Sequence, residues 1–480
     1  MSLLTLGLTL YFVAVAAYIV SENRRPQSAF AWLFLFLTLP FGGLVIYILF
    51  GRQRGGVGRT RKLVRQNLPG HLDSTLRPQQ EEHETAMRVL EAGPTPARRI
   101  ASLVHVTTGS PVTIANDVEV LQDAEGKYPR LLEDIKAARR SIHLQYYIWR
   151  PDALGERLRA ILAAKVAEGV DVRIIYDPVG SFGLRMAIYV RRMRRAGIRM
   201  VPSSPLWRVH TISYRNHRKI AVIDGRIGYT GGLNIGEEHL RPGGGWRAWR
   251  DTHLRLTGSA VRMLQAVFAV DWSNASGEPL LGPEHFPPLE EPARASCRQP
   301  VQLVVSGPDS EWRALRQQYF AMITAARHRV RIQTPYFILE DSLAEALKIA
   351  AMSGLDVSVM VADGGPDQRV VYWAAHTYLA EIASAGVEVL LHRGGFLHAK
   401  TVVTDGEVAS VGSGNWDIRS FSINYELNAV IYDPAIAARI EAAYDRDRAN
   451  CRRFDAERYR AGPPLPRFRD SLARLVSPLL

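Results

Sequence analysis

Cysteine is almost missing from this 480-residue chain. Cys297 and Cys451 are the only two and no CxxC spacing joins them, so neither a thiolate zinc site nor a disulfide framework can be built. Two free thiols fit a reducing compartment. Lysine is nearly as scarce. Of 60 basic residues seven are lysine (62, 127, 136, 165, 219, 348 and 400), leaving 53 arginines. Acid is in short supply overall, and the formal net charge is +13. That charge points to an anionic partner: a membrane surface, a phospholipid headgroup or nucleic acid. A cleavable leader is disfavoured, because the start has no basic segment, no A-x-A-like site follows Val20, and a second apolar run comes straight after the first.

What is present begins with those runs. Leu3–Val20 is uncharged and about one membrane thick, Ser21–Pro26 interrupts, and Ala29–Phe50 is apolar again. Residues 1–51 are therefore expected to form a two-helix transmembrane hairpin, bent near Pro40-Phe41-Gly42-Gly43. Arg52, Arg54, Arg59, Arg61, Lys62 and Arg65 follow with no acid before Asp73, against Arg24 and Arg25 in the turn. The heavier basic cluster stays cytoplasmic, against anionic headgroups, and takes everything after it to the same side. Residues 52–110 read as a basic linker and N-terminal extension, helical from Gln79 to Glu91.

The rest of the chain repeats itself. Helix, strand, helix and strand follow one another from Tyr128 to Asp177 and again from Trp312 to Asp363, each set followed by one more helix and a short strand. The pattern predicts two α/β domains, at 111–275 and 301–480, joined by a Pro- and Glu-rich linker at 276–300. Their mixed sheets, flanked by helices, are expected to be largely parallel and to pack face to face.

The repeat is tightest at HRKIAVIDG (217–225) and HAKTVVTDG (398–406), 181 residues apart. Asn234 and Asn415 keep the same offset. Strand alternation puts His217 and Lys219 on one face, and His398 and Lys400 likewise. Asp224-Gly225 and Asp405-Gly406 then signal type I′ hairpins. A histidine can attack phosphorus or move a proton, and a neighbouring lysine supplies fixed positive charge for a phosphoryl oxygen. Two histidines serve the two opposite faces of an in-line displacement. Asp224 and Asp405 belong to the motif, but their place by the turn favours a capping or ion-pairing role over chemistry.

These residues resemble the phospholipase D superfamily, marked by His-x-Lys-x4-Asp in two copies. The likeness extends to the bacterial cardiolipin synthases over nearly the whole chain. It is carried by the N-terminal hairpin, IHLQYYIWRPDALG, YDPVGS, TGGLNIGEEH, WRDTHLRLTG, QTPYFIL and GSGNWDIRSFSINYE. The resemblance implies a bacterial inner (cytoplasmic) membrane enzyme with its catalytic part in the cytoplasm. It would join two phosphatidylglycerols into cardiolipin and glycerol through a phosphohistidine, with no metal or nucleotide cofactor. By the same likeness His217 is the nucleophile and His398 the acid and then base, while Lys219, Lys400, Asn234 and Asn415 hold phosphoryl oxygens. Superfamily members orient each histidine with a carboxylate. Glu426 stands at the family's position, 28 residues after His398. The same offset from His217 falls on Gly245, so Asp251 of WRDTH is taken as the substitute after a short insertion. Gly232 stands where the second copy has Ser413, so the halves differ in hydrogen bonding.

Other features are softer. Tyr146, Tyr147, Trp246, Trp249, Tyr336 and Phe337 are candidates for a lipid-facing mouth, with core packing the commoner use of such aromatics. The C-terminal RFRDSLARLVSPLL is a weakly amphipathic helix open to two readings, on the membrane or docked on the domain. Phosphatidylglycerol is the expected donor and acceptor, anionic lipid the expected surroundings, and nucleic acid is not expected. A hydrolase of the same fold, a tethered nuclease and an inactive lipid-binding scaffold are the alternatives.

Overall fold

A computed structural model describes residues 3–22, 26–47, 69–93, 97–205, 207, 213–240, 248–282, 284–288, 298–364 and 369–477. Arg24 and Arg25, the basic cluster from Arg52 to Arg65, Pro242–Gly245, Trp246, Cys297 and much of the segment between the copies lie outside the described residues.

The first apolar run forms one helix, Leu3–Ser21. The second does not. It divides into Pro26–Thr38 and Pro40–Ile46 at Leu39, whose φ and ψ are −137° and 72°. Pro40 causes the break: it has no N–H to give and disfavours helical angles at the residue before it. The 13-residue arm spans about 20 Å, short of the ~30 Å hydrocarbon core. Among the described residues no helix is long and apolar enough to cross a membrane.

Sequence placed the start of the next helix too late. Pro69–Ala92 and Ala97–Thr108 are both helical. Ala86, Leu90, Ile100, Ala101 and Val104 are buried with Leu315, Tyr319 and Met322 of the second copy. Much of the expected linker is thus packed structure. It continues into β1 (Val112–Thr113), and it is fixed to the second copy by Gln302, whose Nε2 donates to Ala101 O at 3.1 Å and Ser110 O at 2.9 Å.

The first copy supplies β2 (Asn116–Gln122), β3 (Ser141–Tyr146), β4 (Asp171–Tyr176), β5 (Arg199–Pro202), β6 (Ile220–Ile223), β7 (Ile227–Gly231), β8 (Trp249–Arg250) and β9 (Thr252–Gly258). The second supplies β10 (Val301–Ser306), β11 (Arg329–Gln333), β12 (Asp356–Ala362), β13 (Glu388–His392), β14 (Phe396–Leu397), β15 (Thr401–Thr404), β16 (Val408–Gly412), β17 (Glu426–Ile431) and β18 (Cys451–Arg453). One seven-stranded sheet runs β2-β9-β7-β6-β3-β4-β5, and one nine-stranded sheet runs β1-β10-β17-β16-β15-β11-β12-β13-β18. Within these two sheets, among the described residues, only β3-β4-β5 and β11-β12-β13 are parallel; β14 and β8 form a separate parallel pair. The expectation of largely parallel sheets is corrected here. Each His-motif strand turns back through an Asp-Gly hairpin, which makes the strands around it antiparallel.

Both faces of β6 are buried. Ile220 and Val222 join a core shared with Val403, Val411, Leu427 and Ala429 of the second sheet, while Ala221 and Ile223 face a core of the first copy alone. The copies therefore meet through apolar strands. The hairpins carry φ of 53° and 66° at Asp224 and Gly225, and 57° and 69° at Asp405 and Gly406, as type I′ turns require. Each aspartate has a second task. Asp224 accepts from the backbone N–H of Arg139, Arg140 and Ser141 at 2.7–3.0 Å, and Asp405 from Arg327, His328 and Arg329 at 2.8–2.9 Å. They fasten the hairpin to the start of β3 or β11.

Asp405→Ala would leave those three N–H groups without their acceptor. Chemical denaturation is expected to show a loss of about 1–3 kcal/mol, and Asp224→Ala should match it in the first copy.

Candidate active site

His217 and His398 sit just before β6 and β15, in extended segments fixed by the opposite copy. His217 N donates to Tyr425 O at 2.9 Å, and Tyr425 N to Arg215 O at 2.8 Å. Across the pseudo-twofold axis His398 N donates to Arg250 O at 2.7 Å, and β14 pairs with β8. Each histidine strand thus lies against the stretch that carries the other copy's carboxylate.

The carboxylates cross. His217 Nδ1 is 3.0 Å from Glu426 Oε2, and His398 Nδ1 is 2.7 Å from Asp251 Oδ2. A carboxylate at Nδ1 keeps the proton there and leaves Nε2 for chemistry. Counting along one copy could not reveal this exchange. The register does support Asp251 as the counterpart of Glu426. Gly231 pairs with His253 and Gly412 with Asn428, so each acid stands two residues before the partner of an equivalent glycine. The same pairs count out six extra residues in the first copy's connection.

Gly232 and Ser413 explain why one acid is short and the other long. A Cβ on Gly232 would lie 2.0 Å from Asp251 Oδ1, so no side chain fits there. In the second copy Ser413 Oγ donates to Glu426 Oε2 at 2.5 Å, and Ser420 Oγ donates to Oε1 at 2.9 Å. Asn424 Nδ2 reaches the same Oε1 at 3.3 Å. Asp251 instead accepts from Thr252 N at 2.8 Å. Ser420 and Asn424 were missed in the sequence reading; their closeness to Glu426 in RSFSINYE is the available signal.

Lys219 and Lys400 are buried, and each ammonium donates to the carbonyl of its own histidine. Burial pushes Lys219 down to about 7, with Glu426 opposing and Lys400 adding to the fall. Lys400 is pushed down to about 8, also by burial, against Asp251 and Glu426. Burial lowers both histidines as well. Glu426 partly restores His217, while Lys400, Lys219 and His217 push His398 further down. Burial works to raise both acids. Asp251 stays raised, but His217, Lys219 and Ser413 hold Glu426 below the usual carboxylate range. The site is poised for an anion: positive groups crowd each other until a negative charge arrives.

His217, His398, Asn234 and Asn415 all line one cavity of about 660 Å³. Asn415 Oδ1 is buried with no hydrogen-bond partner among the described residues, and Asn234 Oδ1 accepts from Ile148 N at 3.2 Å. Lys127, another lysine of the sparse set, is buried and donates to Leu233 O at 3.0 Å, steadying the backbone before Asn234. Of the aromatics singled out in the sequence, Tyr147, Trp249 and Tyr336 line the cavity, whereas Tyr146 and Phe337 are core. Tyr147 meets the His217 ring edge-on at 4.9 Å and Trp249 lies 5.2 Å from the His398 ring. Asp224 and Asp405 are not among the lining residues; they hold the turns at the far ends of β6 and β15.

Among the described residues one group could hold a metal ion, His143, Asp171 and His285. It sits at the start of β3 and β4, while the cavity lies past their other ends. Arg173 and Arg199 already bind Asp171 at 2.8 and 2.5 Å, so a cation there would face two guanidinium groups.

A family model described as cardiolipin synthase, PLD-like domain, matches residues 131–244 and 319–448. A second, phospholipase D-nuclease N-terminal, matches 7–52. The chain is 39% identical over 473 residues to a cardiolipin synthase of Geobacillus sp. (strain WCH70), covering 98% of this chain and 92% of that one. It is 38% identical over 494 residues to the major cardiolipin synthase ClsA of Bacillus subtilis (strain 168), covering all of both. The chain belongs to the cardiolipin synthase family. Phosphatidylserine synthase of Haemophilus influenzae Rd KW20 shares the fold of this family member, with a TM-score of 0.61 at 16% identity, over 80% of this chain and all of that one.

Two measurements test the site. Gly232→Ala should displace Asp251 from His398 and cost at least about tenfold in kcat; near-normal turnover would contradict the close approach. Diethyl phosphate binding at pH 8.5 should take up protons, because the anion raises two lysines that are largely neutral in the free site. Calorimetry in buffers of different ionisation enthalpy reads the sign, and release of protons would contradict it.

Proposed function

We propose that this chain joins two phosphatidylglycerol molecules into cardiolipin and glycerol through a phosphohistidine. Membership of the cardiolipin synthase family makes phosphatidyl transfer its activity. The observation that carries the mechanism is the pair of histidines, each held by a carboxylate of the opposite copy and both open to one cavity.

In this reading His217 Nε2 attacks the phosphorus of the first phosphatidylglycerol. The P–O bond to the headgroup glycerol breaks, and His398, which takes up a proton at Nε2 once the bound phosphate anion raises it, gives that oxygen this proton. His398 then takes the proton from the terminal hydroxyl of a second phosphatidylglycerol, whose oxygen attacks phosphorus and frees His217. One phosphodiester is exchanged for another, so the step needs no nucleotide. Lys219, Lys400, Asn234 and Asn415 balance the charge on the phosphoryl oxygens, as preorganised donors in a dry site do most effectively. Glu426 and Asp251 hold the tautomers, Ser413 orients Glu426, and Asp224 and Asp405 serve the architecture.

The hairpin is read as the membrane anchor, crossing twice with the catalytic part in the cytoplasm. Its chemistry favours lipid as solvent. Leu10, Val13, Val20, Phe30, Phe34, Leu37 and Phe41 are all more than half exposed, while Ile19, Trp32, Phe36 and Tyr47 are the buried hydrophobic residues of its small interior among the described residues. The break at Leu39 is satisfied from within: Tyr11 Oη donates to Pro40 O at 2.6 Å, and Leu39 N to Leu35 O at 2.8 Å. Lipid-exposed backbone demands this.

Purified protein in phosphatidylglycerol vesicles, analysed by mass spectrometry, is expected to yield cardiolipin and glycerol in equal amounts. His217→Ala and His398→Ala should each abolish both. Phosphatidic acid without cardiolipin would replace the reading with a phospholipase D-type hydrolase.

A further inference from the structure

The cavity must receive lipids, and two exposed pads flank its mouth. Val179 and Gly180 line the cavity, and the chain runs directly on to Phe182, Leu184 and Ile188, which are 74%, 78% and 51% exposed. Trp207, in the same region of sequence, is 79% exposed. Residues 178–205 hold six arginines and no acid. On the second copy Ser477 lines the cavity at the end of the helix Pro464–Val476. Leu465, Phe468, Leu472 and Leu475 of that helix are 77%, 68%, 52% and 74% exposed. At about 100° per residue these four fall within an arc of about 80°.

That helix has two faces with different partners. Asp470, Ala473 and Ser477 are buried, on the side away from the leucines. They meet the helix Arg369–Ala383, where Tyr378 Oη lies 3.2 Å from Ser477 Oγ. Arg469 and Arg474 stack over Trp373 and Tyr378 at 4.6 and 4.2 Å. The docked face explains what holds the helix, and nothing in that docking uses the four apolar side chains. A monomer leaves such stripes bare where something covers them, and apolar side chains edged by arginine match a bilayer of anionic headgroups.

We propose that the catalytic body docks on an anionic bilayer through these two pads, with the cavity mouth against the lipid, and that substrate enters between them without crossing water. The inference rests on the lipid-substrate reading of the site. It gives the arginine excess a place: guanidinium groups at the rim would hold headgroup phosphates while the apolar side chains enter the interface. The hairpin tethers the chain, and the pads set the body's orientation.

The test uses the full chain, hairpin included. Phe468→Glu with Leu472→Glu, and separately Phe182→Glu with Leu184→Glu, are assayed in phosphatidylglycerol vesicles and in mixed micelles of the same lipid with detergent. Each pair is expected to lower turnover about tenfold or more in vesicles and less than about twofold in micelles. Total lipid product is counted, so a wild-type chain making only phosphatidic acid would overturn the proposed function and leave the docking ratio readable. Equal losses in both preparations, or none in vesicles, would overturn docking. Hydrogen exchange on the wild-type chain gives a readout that needs no variant to fold. Amides 182–188 and 465–475 should exchange more slowly in phosphatidylglycerol than in phosphatidylcholine vesicles, and identical exchange would overturn the proposal.

Discussion

Two hydrogen bonds between copies, Glu426 to His217 and Asp251 to His398, are the constraint on which the arrangement depends. Each histidine has the right tautomer only when the other copy is in place. The apolar strands between the sheets bring the copies together, and the backbone pairing of Asn216 with Tyr425 and of Leu397 with Arg250 sets the register to within a residue. A slip of one residue would turn each acid away from its partner. Packing, pairing and the candidate site therefore share one geometry.

The sequence made much of this legible because the copies could be read against each other. Matching 181-residue offsets located His217, Lys219, Asn234 and their twins, and alternation placed the alternate residues of β6 in opposite cores. The Asp-Gly turns have the expected positive φ. What stayed hidden was tertiary. Whether an acid reaches its own histidine or its twin depends on how two sheets face, and no local pattern encodes that. The share of antiparallel strands was misjudged for a related reason: helix–strand alternation shows only the β3-β4-β5 half of each unit. In the extension a helix is expected only from Gln79 to Glu91, because the apolar residues on either side gain meaning only against Leu315 and Tyr319 of the second copy.

The order of the chain adds a further tie. The extension packs on the second copy and places β1 at that sheet's edge before the chain builds the first copy. The second copy's sheet is therefore completed by residues from the start of the chain. The first copy's sheet is drawn from one continuous stretch, but the second copy's is not, and this ties the second copy's sheet to the extension that precedes the first.

The pairing of Gly232 with Asp251, and of Ser413 with Glu426, bears on how such an enzyme can change. The short acid fills the space a Cβ would need, and the long acid uses the hydroxyl that replaces it. Either member altered alone meets a collision or a missing donor. Substitutions at these positions are therefore epistatic, and a lineage moving from one arrangement to the other must pass through an impaired intermediate or change both together. A duplicated protein that began as two identical halves could drift apart here only by coupled steps, after which neither half-site could be restored by copying single residues from its twin.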